Sequence, residues 1–216
     1  MQIHVVNAAN RHLYDDLLDQ FFRARHEIYV EEKGWRDADP SGKEIDQFDT
    51  DAATYLIGEI GGEVMTGTRL VPTTEPHLLS EVFPHMADFK GLIRHPDVAE
   101  WTRGFITKKF REQGHGPIKG QFCGTVMEYC LLEGIKAIGG VQETYWLPLW
   151  KRFRWTVRPV GNPREIDGVP CVAAFFDVSR TAQLKALSCG GLSSSILVYR
   201  GPYRPFVTEA ERRIAV

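Results

Sequence analysis

Val98-Ala-Glu-Trp-Thr-Arg-Gly-Phe-Ile-Thr107, followed after a short charged link by Pro117-Ile-Lys-Gly-Gln-Phe-Cys-Gly-Thr-Val-Met-Glu-Tyr-Cys130, is the stretch that decides the fold. Residues 98–107 are rich in β-branched and aromatic side chains and predict a strand. From Pro117 the period changes. Ile118, Phe122, Val126 and Cys130 recur every four residues, with Met127, Leu131, Ile135 and Ile138 beside them, which predicts a long helix packing a broad apolar face on a sheet. Upstream, residues 53–60 and 63–71 are β-rich runs joined by Gly61-Gly62, a hairpin signal because glycine tolerates positive φ. Residues 2–6 read as a short strand. Asn10 stands where a helix cap is wanted, before Leu13, Leu17, Leu18, Phe21 and Phe22 at helical spacing, and the helix continues through Arg25 and Tyr29 to a stop at Gly34. Downstream, the pattern gives a strand at 140–146, a short helix at 147–153, strands at 155–160 and 170–178, and a helix near 180–187. The segment after Gly190 has no clear assignment. Together these elements predict an α/β fold in one domain spanning residues 1–216, a mixed sheet flanked by helices in a three-layer sandwich, with no repeat or linker to divide it.

Composition narrows the function classes. With 216 residues, 43% hydrophobic and 25% charged, the chain has the make-up of an ordinary globular domain. A formal charge of -2 and an isoelectric point near 6.4 argue against a nucleic-acid partner. No N-terminal run reads as a signal peptide and no segment is apolar for the length of a membrane span, so no membrane partner and a cytoplasmic location are expected. Cys123, Cys130, Cys171 and Cys189 lack paired zinc-site spacing and read as reduced packing residues, and the seven scattered histidines predict no metal centre.

The chemistry-bearing residues concentrate between positions 25 and 103, in segments read as loops or strand ends. Arg25 and Tyr29 are four apart and share a helix face, Trp35 follows the Gly34 stop, and Asp46 and Asp49 flank Phe48. Arg69 lies in the second hairpin strand, and Glu100, Thr102 and Arg103 in the central strand. Taken singly, each has a plain structural reading: solvated loop carboxylates, a loop plug, a surface cation.

Their joint order changes that. Arg25, Tyr29, Trp35, Asp46, Asp49, Arg69-Leu70, Phe83-Pro84 and Glu100-x-x-Arg103 reproduce a series that resembles the acyl-homoserine lactone (autoinducer) synthase family of LuxI type. The resemblance covers roughly the N-terminal half and weakens past residue 110. Two positions depart from the usual pattern: Tyr29 stands where Phe is commoner and Thr102 where Ser is common, and a buried Tyr29 hydroxyl would need a partner. The resemblance implies an acetyltransferase-like (GNAT-like) fold and an acyltransferase that joins an acyl group to the amine of S-adenosylmethionine. Lactonisation then expels 5'-methylthioadenosine, giving a quorum-sensing signal read by a separate receptor. S-adenosylmethionine is a substrate there, and no cofactor is implied.

Each residue type suits that chemistry. Trp35 and Tyr29, with Phe83 as a further ring, offer faces for adenine and the sulfonium. Asp46 and Asp49 offer negative potential, Arg69 and Thr102 belong to the same set, and Arg25 or Arg103 can clamp the carboxylate. Glu100 is the candidate general base, through a water, with Arg103 beside it; a structural ion pair of Glu100 with Arg69 or Arg103 is the competing reading. Backbone N–H groups at a bulge in the central strand are candidates for an oxyanion site. For the acyl donor, Arg111, Gly114 and Gly116 form Arg-x-x-Gly-x-Gly, similar to the pyrophosphate loop of acetyltransferases, or a plain turn. Lys151, Arg152, Arg154 and Arg158 are either a dock for an acyl-carrier protein or a solvated helix face. Trp101, Tyr145 and Trp146 read as acyl-pocket rings or as core, and their aromatic character resembles the branch that takes branched or aryl acyl-coenzyme A. The rivals are an N-acyltransferase for another amine and a non-catalytic S-adenosylmethionine or thioester binder.

Overall fold

The computed structural model describes residues 1–112 and 116–214. In chain order the strands are β1 (Gln2–Val6), β2 (Thr54–Ile60), β3 (Glu63–Pro72), β4 (Val98–Ile106), β5 (Ala137–Glu143), β6 (Val157–Pro159), β7 (Arg164–Ile166), β8 (Val169–Asp177) and β9 (Leu197–Val198). The helices are α1 (Asp15–His26), α2 (Leu78–Glu81), α3 (Lys108–Glu112), α4 (Gly116–Leu132), α5 (Leu147–Arg152), α6 (Arg180–Gly190) and α7 (Glu209–Ile214). Among the described residues the strands form one sheet in the order β6-β8-β5-β4-β3-β2-β1-β9, with β7 paired to β8. β4–β5 and β1–β9 are parallel and the other pairings antiparallel, so the sheet is mixed.

Strand alternation builds the three layers. Val5, Leu56, Leu70 and Phe176 join one core cluster beneath α4 and α6, while their neighbours Val6, Ile57, Val71 and Phe175 point to clusters on the opposite face, under α1 and α2. The period of two thus places half of each strand in each core. Helix α4 is buried further than one apolar face requires because α6 covers it: a Cβ on Gly120 would meet the Gly190 amide nitrogen at 2.5 Å, so only glycine permits that approach. Gly61 and Gly62, at φ +61° and +83°, make the β2–β3 turn as expected.

Three local expectations are corrected, and two stretches that had none are placed. Asn10 does not cap α1: its Oδ1 accepts from Asn7 N and its Nδ2 donates to the Val5 and Arg200 carbonyls, so it ties the C-terminal segment to β1. Leu13 lies in a separate 3₁₀ turn and is exposed. β5 begins at Ala137, three residues before the expected strand, since Gly139 and Gly140 sit inside the sheet, where a Cβ on Gly139 would collide with Ala174 and Phe175. Asp167-Gly168, both at positive φ, turn β7 into β8, a hairpin for which the sequence pattern gave no expectation. The segment after Gly190 belongs to the domain: β9 pairs with β1, Phe206 and Val207 are buried, and Glu133 accepts from the Phe206 amide at 2.8 Å.

Two irregularities break the sheet at its centre. β4 pairs with β5 only over Val98–Glu100, after which the strands separate. Where β4 leaves β5, its register against β3 also slips: Gly67 faces Phe105 and Arg69 faces Thr102, so Arg103 and Gly104 form a bulge opposite Thr68.

Candidate active site

A cavity of about 540 Å³ opens where β4 and β5 part. Trp101, Phe122, Leu149, Trp150 and Phe176 give it an apolar wall. In that wall Trp150 stacks on Trp155 at 5.1 Å and packs against Trp101 at 5.6 Å. Lys33, Trp35, Arg36, Arg103 and Glu143 supply a polar wall. Tyr145 and Trp146, 5.2 Å apart, join the two. One chamber therefore holds charge beside a ring-lined pocket.

The polar wall is set by the end of α1. After His26 the helix widens into a π-helical turn, Glu27–Glu32, closed by bonds such as Lys33 N to Ile28 O at 3.0 Å. That turn stacks Trp35 on Tyr29 at 5.3 Å. The buried Tyr29 hydroxyl finds its partner, donating to Gly104 O at 3.0 Å, and burial pushes its pKa up. The bulge is fixed from both sides: Arg103 adopts φ +55°, a conformation that costs a non-glycine residue about 1–3 kcal/mol. Its guanidinium reaches Glu44 and Asp46, each at 2.9 Å, and lies 5.1 Å from the Tyr29 ring.

Behind Arg103 lies a closed ionic cluster. Arg25 donates to both oxygens of Asp49 at 2.8 and 2.9 Å and, through Nε, to Glu44 at 2.6 Å. Arg69 donates to both oxygens of Asp46, and its nearer nitrogen stands 2.9 Å from Asp49. Tyr55 donates to Asp49 at 3.0 Å, and the Asp46 amide donates to the same carboxylate at 2.8 Å. Three guanidinium and three carboxylate groups thus balance where water barely reaches. Burial alone would raise the Asp49 pKa, but Arg25 and Arg69 more than reverse that and hold it low. Arg25, Asp46, Asp49 and Arg69 were expected to touch substrate. They are not among the described residues lining the cavity, because their charges are spent on one another. Their work is to hold the 44–49 loop and Arg103. Glu44, central to the cluster, was missed; its only signal was the Glu-x-Asp spacing beside Asp46.

Glu100 is fully buried and is also not among the described lining residues. In place of the ion pair with Arg69 or Arg103 that was the competing reading, the carboxylate caps a helix, accepting from Leu78 N at 2.9 Å and Leu79 N at 2.6 Å, the first amides of α2. Desolvation raises its pKa against the opposing pull of His77 and those amides. Gly140 is the thin point between Glu100 and the cavity. A Cβ there would sit 3.6 Å from Glu100 Oε1, and Gly140 lines the chamber.

The remaining expected residues divide plainly. Tyr29, Trp35, Phe83, Thr102, Arg103, Trp101, Tyr145 and Trp146 all line the cavity. Arg111 lines it too, with its guanidinium held by Glu32 at the end of the π-helical turn. Gly116 opens α4, and Gly114 lies outside the described residues. In the second basic group, Arg158 pairs with Asp177 at 2.6 Å across the sheet edge, while Lys151 and Arg152 are exposed on the last turn of α5. The four cysteines are free, and Cys123 and Cys171 line the cavity; burial pushes the Cys123 thiol up to about 12. Lys33 and Glu143, both lining residues, carried no signal in the sequence beyond their charge.

The autoinducer synthase family model matches residues 9–186. The chain is 40% identical over 179 residues to isovaleryl-homoserine lactone synthase of Bradyrhizobium diazoefficiens, covering 82% of this chain and 80% of that one. Among solved structures it is similar to BjaI, a CoA-dependent acyl-homoserine lactone synthase solved with SAM and isopentyl-CoA, at 37% identity, TM-score 0.88, covering 95% of this chain and 96% of that one. A putative N-acetyltransferase from Lactobacillus plantarum, 19% identical with TM-score 0.55 over 83% of this chain and all of that one, shares the fold alone. The ordered series from Arg25 to Arg103, the bulged central strand and the divided chamber thus have one explanation, and this chain belongs to the autoinducer synthase family.

Proposed function

We propose that the chain transfers the acyl group of an acyl-coenzyme A to the α-amine of S-adenosylmethionine and closes the product to an acyl-homoserine lactone. The observation that carries this reading is the single chamber in which Trp35 and Arg103 stand on one wall and Trp101 and Trp150 on another. The unpaired edges of β4 and β5 beyond Glu100 and Gly139 offer backbone groups to the amides of a pantetheine arm, as an added strand would use them. The arm delivers the thioester carbonyl to the bulge at Arg103-Gly104, two residues without a register partner on β3, whose N–H groups bind the oxyanion in this reading.

The steps balance without a cofactor. The neutral amine attacks the thioester carbon and coenzyme A leaves as the thiol; the methionine carboxylate then attacks Cγ, the Cγ–S bond breaks, and 5'-methylthioadenosine departs. Glu100 takes the amine proton through a water beside Gly140, and its raised proton affinity suits a base that collects a proton from a cation. Positioning drives the second step, since a sulfonium is already a good leaving group. Arg25 is not among the described residues lining the cavity, whereas Arg103, which joins the cluster through Nε and Nη2, is, and Arg103 is therefore the guanidinium of the expected pair that meets the carboxylate.

Coenzyme A is favoured over an acyl-carrier protein by the kinship with a CoA-dependent synthase and by Arg111 and Lys119 at the cavity wall. The aromatic wall favours short branched or aryl acyl groups over long straight chains. None of the helices among the described residues is long and apolar enough to cross a membrane; we place the enzyme in the cytoplasm, with its product read by a separate regulator. Incubating the protein with S-adenosylmethionine and a panel of acyl-coenzyme A thioesters, followed by mass spectrometry, tests the reading. It requires methylthioadenosine and acyl-homoserine lactone in equal amounts; acylated amine without methylthioadenosine would contradict it.

A further inference from the structure

Among the described residues of the polar wall, Lys33 and its partner Glu143 have positions that neither the ionic cluster nor the proposed reaction explains. The Lys33 ammonium stands 4.2 Å from the centroid of the Trp35 ring, 2.6 Å from Glu143 Oε1 and 3.5 Å from the Tyr145 hydroxyl, which itself donates to the other Glu143 oxygen. Glu143 is nearly enclosed and Lys33 about one-quarter exposed, so the group sits at the cavity wall and not on open surface. An aromatic face with a carboxylate beside it is a receptor for an organic cation. Here that receptor is filled by the chain's own side chain.

We infer that Trp35, Glu143 and Tyr145 form the site for a cationic centre of S-adenosylmethionine, and that Lys33 occupies it in the empty enzyme as an internal surrogate the substrate displaces. This rests on the function proposed above. Three features support displacement. The Lys33 stem is long and flexible, and its release leaves the Trp35–Tyr29 stack intact. The carboxylate stays compensated throughout, because one cation replaces another and Glu143 is never left buried alone. The neighbouring Glu32 simultaneously holds Arg111, so the residues at the end of the π-helical turn occupy a cation site and an anion-binding guanidinium at once. An enzyme whose two substrates carry a sulfonium and a pyrophosphate would meet its own ions at both places before loading.

The test is calorimetric titration of the full chain with S-adenosylmethionine, S-adenosylhomocysteine and methylthioadenosine, using wild type, Lys33→Met, Lys33→Arg and Glu143→Gln. Lys33→Met vacates the site, and the affinity for S-adenosylmethionine rises roughly three- to tenfold with methylthioadenosine unchanged. Glu143→Gln weakens S-adenosylmethionine about tenfold, again sparing methylthioadenosine. Lys33→Arg keeps an occupant and stays near wild type. S-adenosylhomocysteine identifies the centre: a response confined to S-adenosylmethionine means the sulfonium, and one shared with S-adenosylhomocysteine means the α-ammonium. Equal shifts for all three ligands, methylthioadenosine included, or unchanged affinities in both Lys33→Met and Glu143→Gln, would overturn the inference. A wild-type protein that binds no S-adenosylmethionine would refute the proposed function instead. Thermal melting of each variant separates folding losses from binding losses, and Glu143→Gln carries the test if Lys33→Met fails to fold.

Discussion

Asp49→Asn removes one negative charge and one oxygen from the ionic cluster while keeping the side chain's shape. Asp49 accepts from Arg25 at 2.8 and 2.9 Å and from Tyr55 at 3.0 Å, stands 2.9 Å from Arg69, and its side chain is about 1% exposed. The substitution leaves three guanidinium groups facing two carboxylates in a site that water barely enters, and turns an amide donor toward Arg25. Breaking a buried pair from one side costs about 3–5 kcal/mol. Against a total stability of about 5–15 kcal/mol that is a large fraction, and for a domain of this size it lowers the melting temperature by about 6–20 °C. The pH dependence gives a second arm. Asp49 is held below its ordinary value of 3.8, so its stabilising contribution is fully present above that value and is lost as pH falls through the folded-state pKa. The gap between wild type and Asp49→Asn therefore narrows in acid, below about pH 4. Urea or thermal unfolding at pH 7 and at pH 3, with steady-state kinetics on the folded fraction, measures both. A variant within about 1 kcal/mol of wild type that selectively raises KM for S-adenosylmethionine would refute the assignment and return Asp49 to the substrate.

Trp146→Ala opens the acyl wall; each extra methylene accommodated contributes about 0.8 kcal/mol, so kcat/KM for octanoyl- relative to isovaleryl-coenzyme A rises about 10- to 60-fold, as a competition assay would report. Trp150→Ala at the neighbouring, buried position costs about 3–5 kcal/mol of stability instead, because its stack with Trp155 is lost, and denaturant melts distinguish the two. Glu100→Gln lowers kcat about 10²- to 10⁴-fold with little change in S-adenosylmethionine affinity, a split that single-turnover kinetics and titration resolve. Since burial raises the Glu100 pKa and the base acts deprotonated, the acid limb of the wild-type kcat/KM profile falls at a pH above the ordinary 4.5, and this limb disappears in Glu100→Gln.

The fold was legible where one periodicity dominates. The glycine-joined hairpin marked β2 and β3 within a residue, and the four-residue repeat marked the start of α4, because strand and helix periods differ; Ile135 and Ile138, read with the helix, lie beyond its end at Leu132. β5 was started three residues late because Ile138 also fits the helical repeat of α4, while in the sheet the missing side chains of Gly139 and Gly140 let Ala174 and Glu100 approach. The tail escaped because Leu197–Val198 is too short to show a period and is fixed by Asn10 and Glu133, residues far away in sequence. At the site, residue identities were legible and roles were only partly so. The order from Arg25 to Arg103 marked the right neighbourhood, yet sequence spacing does not tell a guanidinium that faces ligand from one that faces three carboxylates. Lys33 and Glu143 lie 110 positions apart, and their pairing exists only in the folded chain.

The central claim is that one chamber between β4 and β5 receives both substrates. A crystal structure of the protein with S-adenosylmethionine and a non-transferable acyl-coenzyme A analogue measures it directly. The account predicts the methionine moiety against Trp35 and Arg103, the acyl group among Trp101, Trp146 and Trp150, and the amine within reach of the thioester carbonyl at the Arg103-Gly104 bulge. Either ligand bound on a surface outside this cavity, or a methionine moiety seated on Arg25 and Asp49, would contradict it.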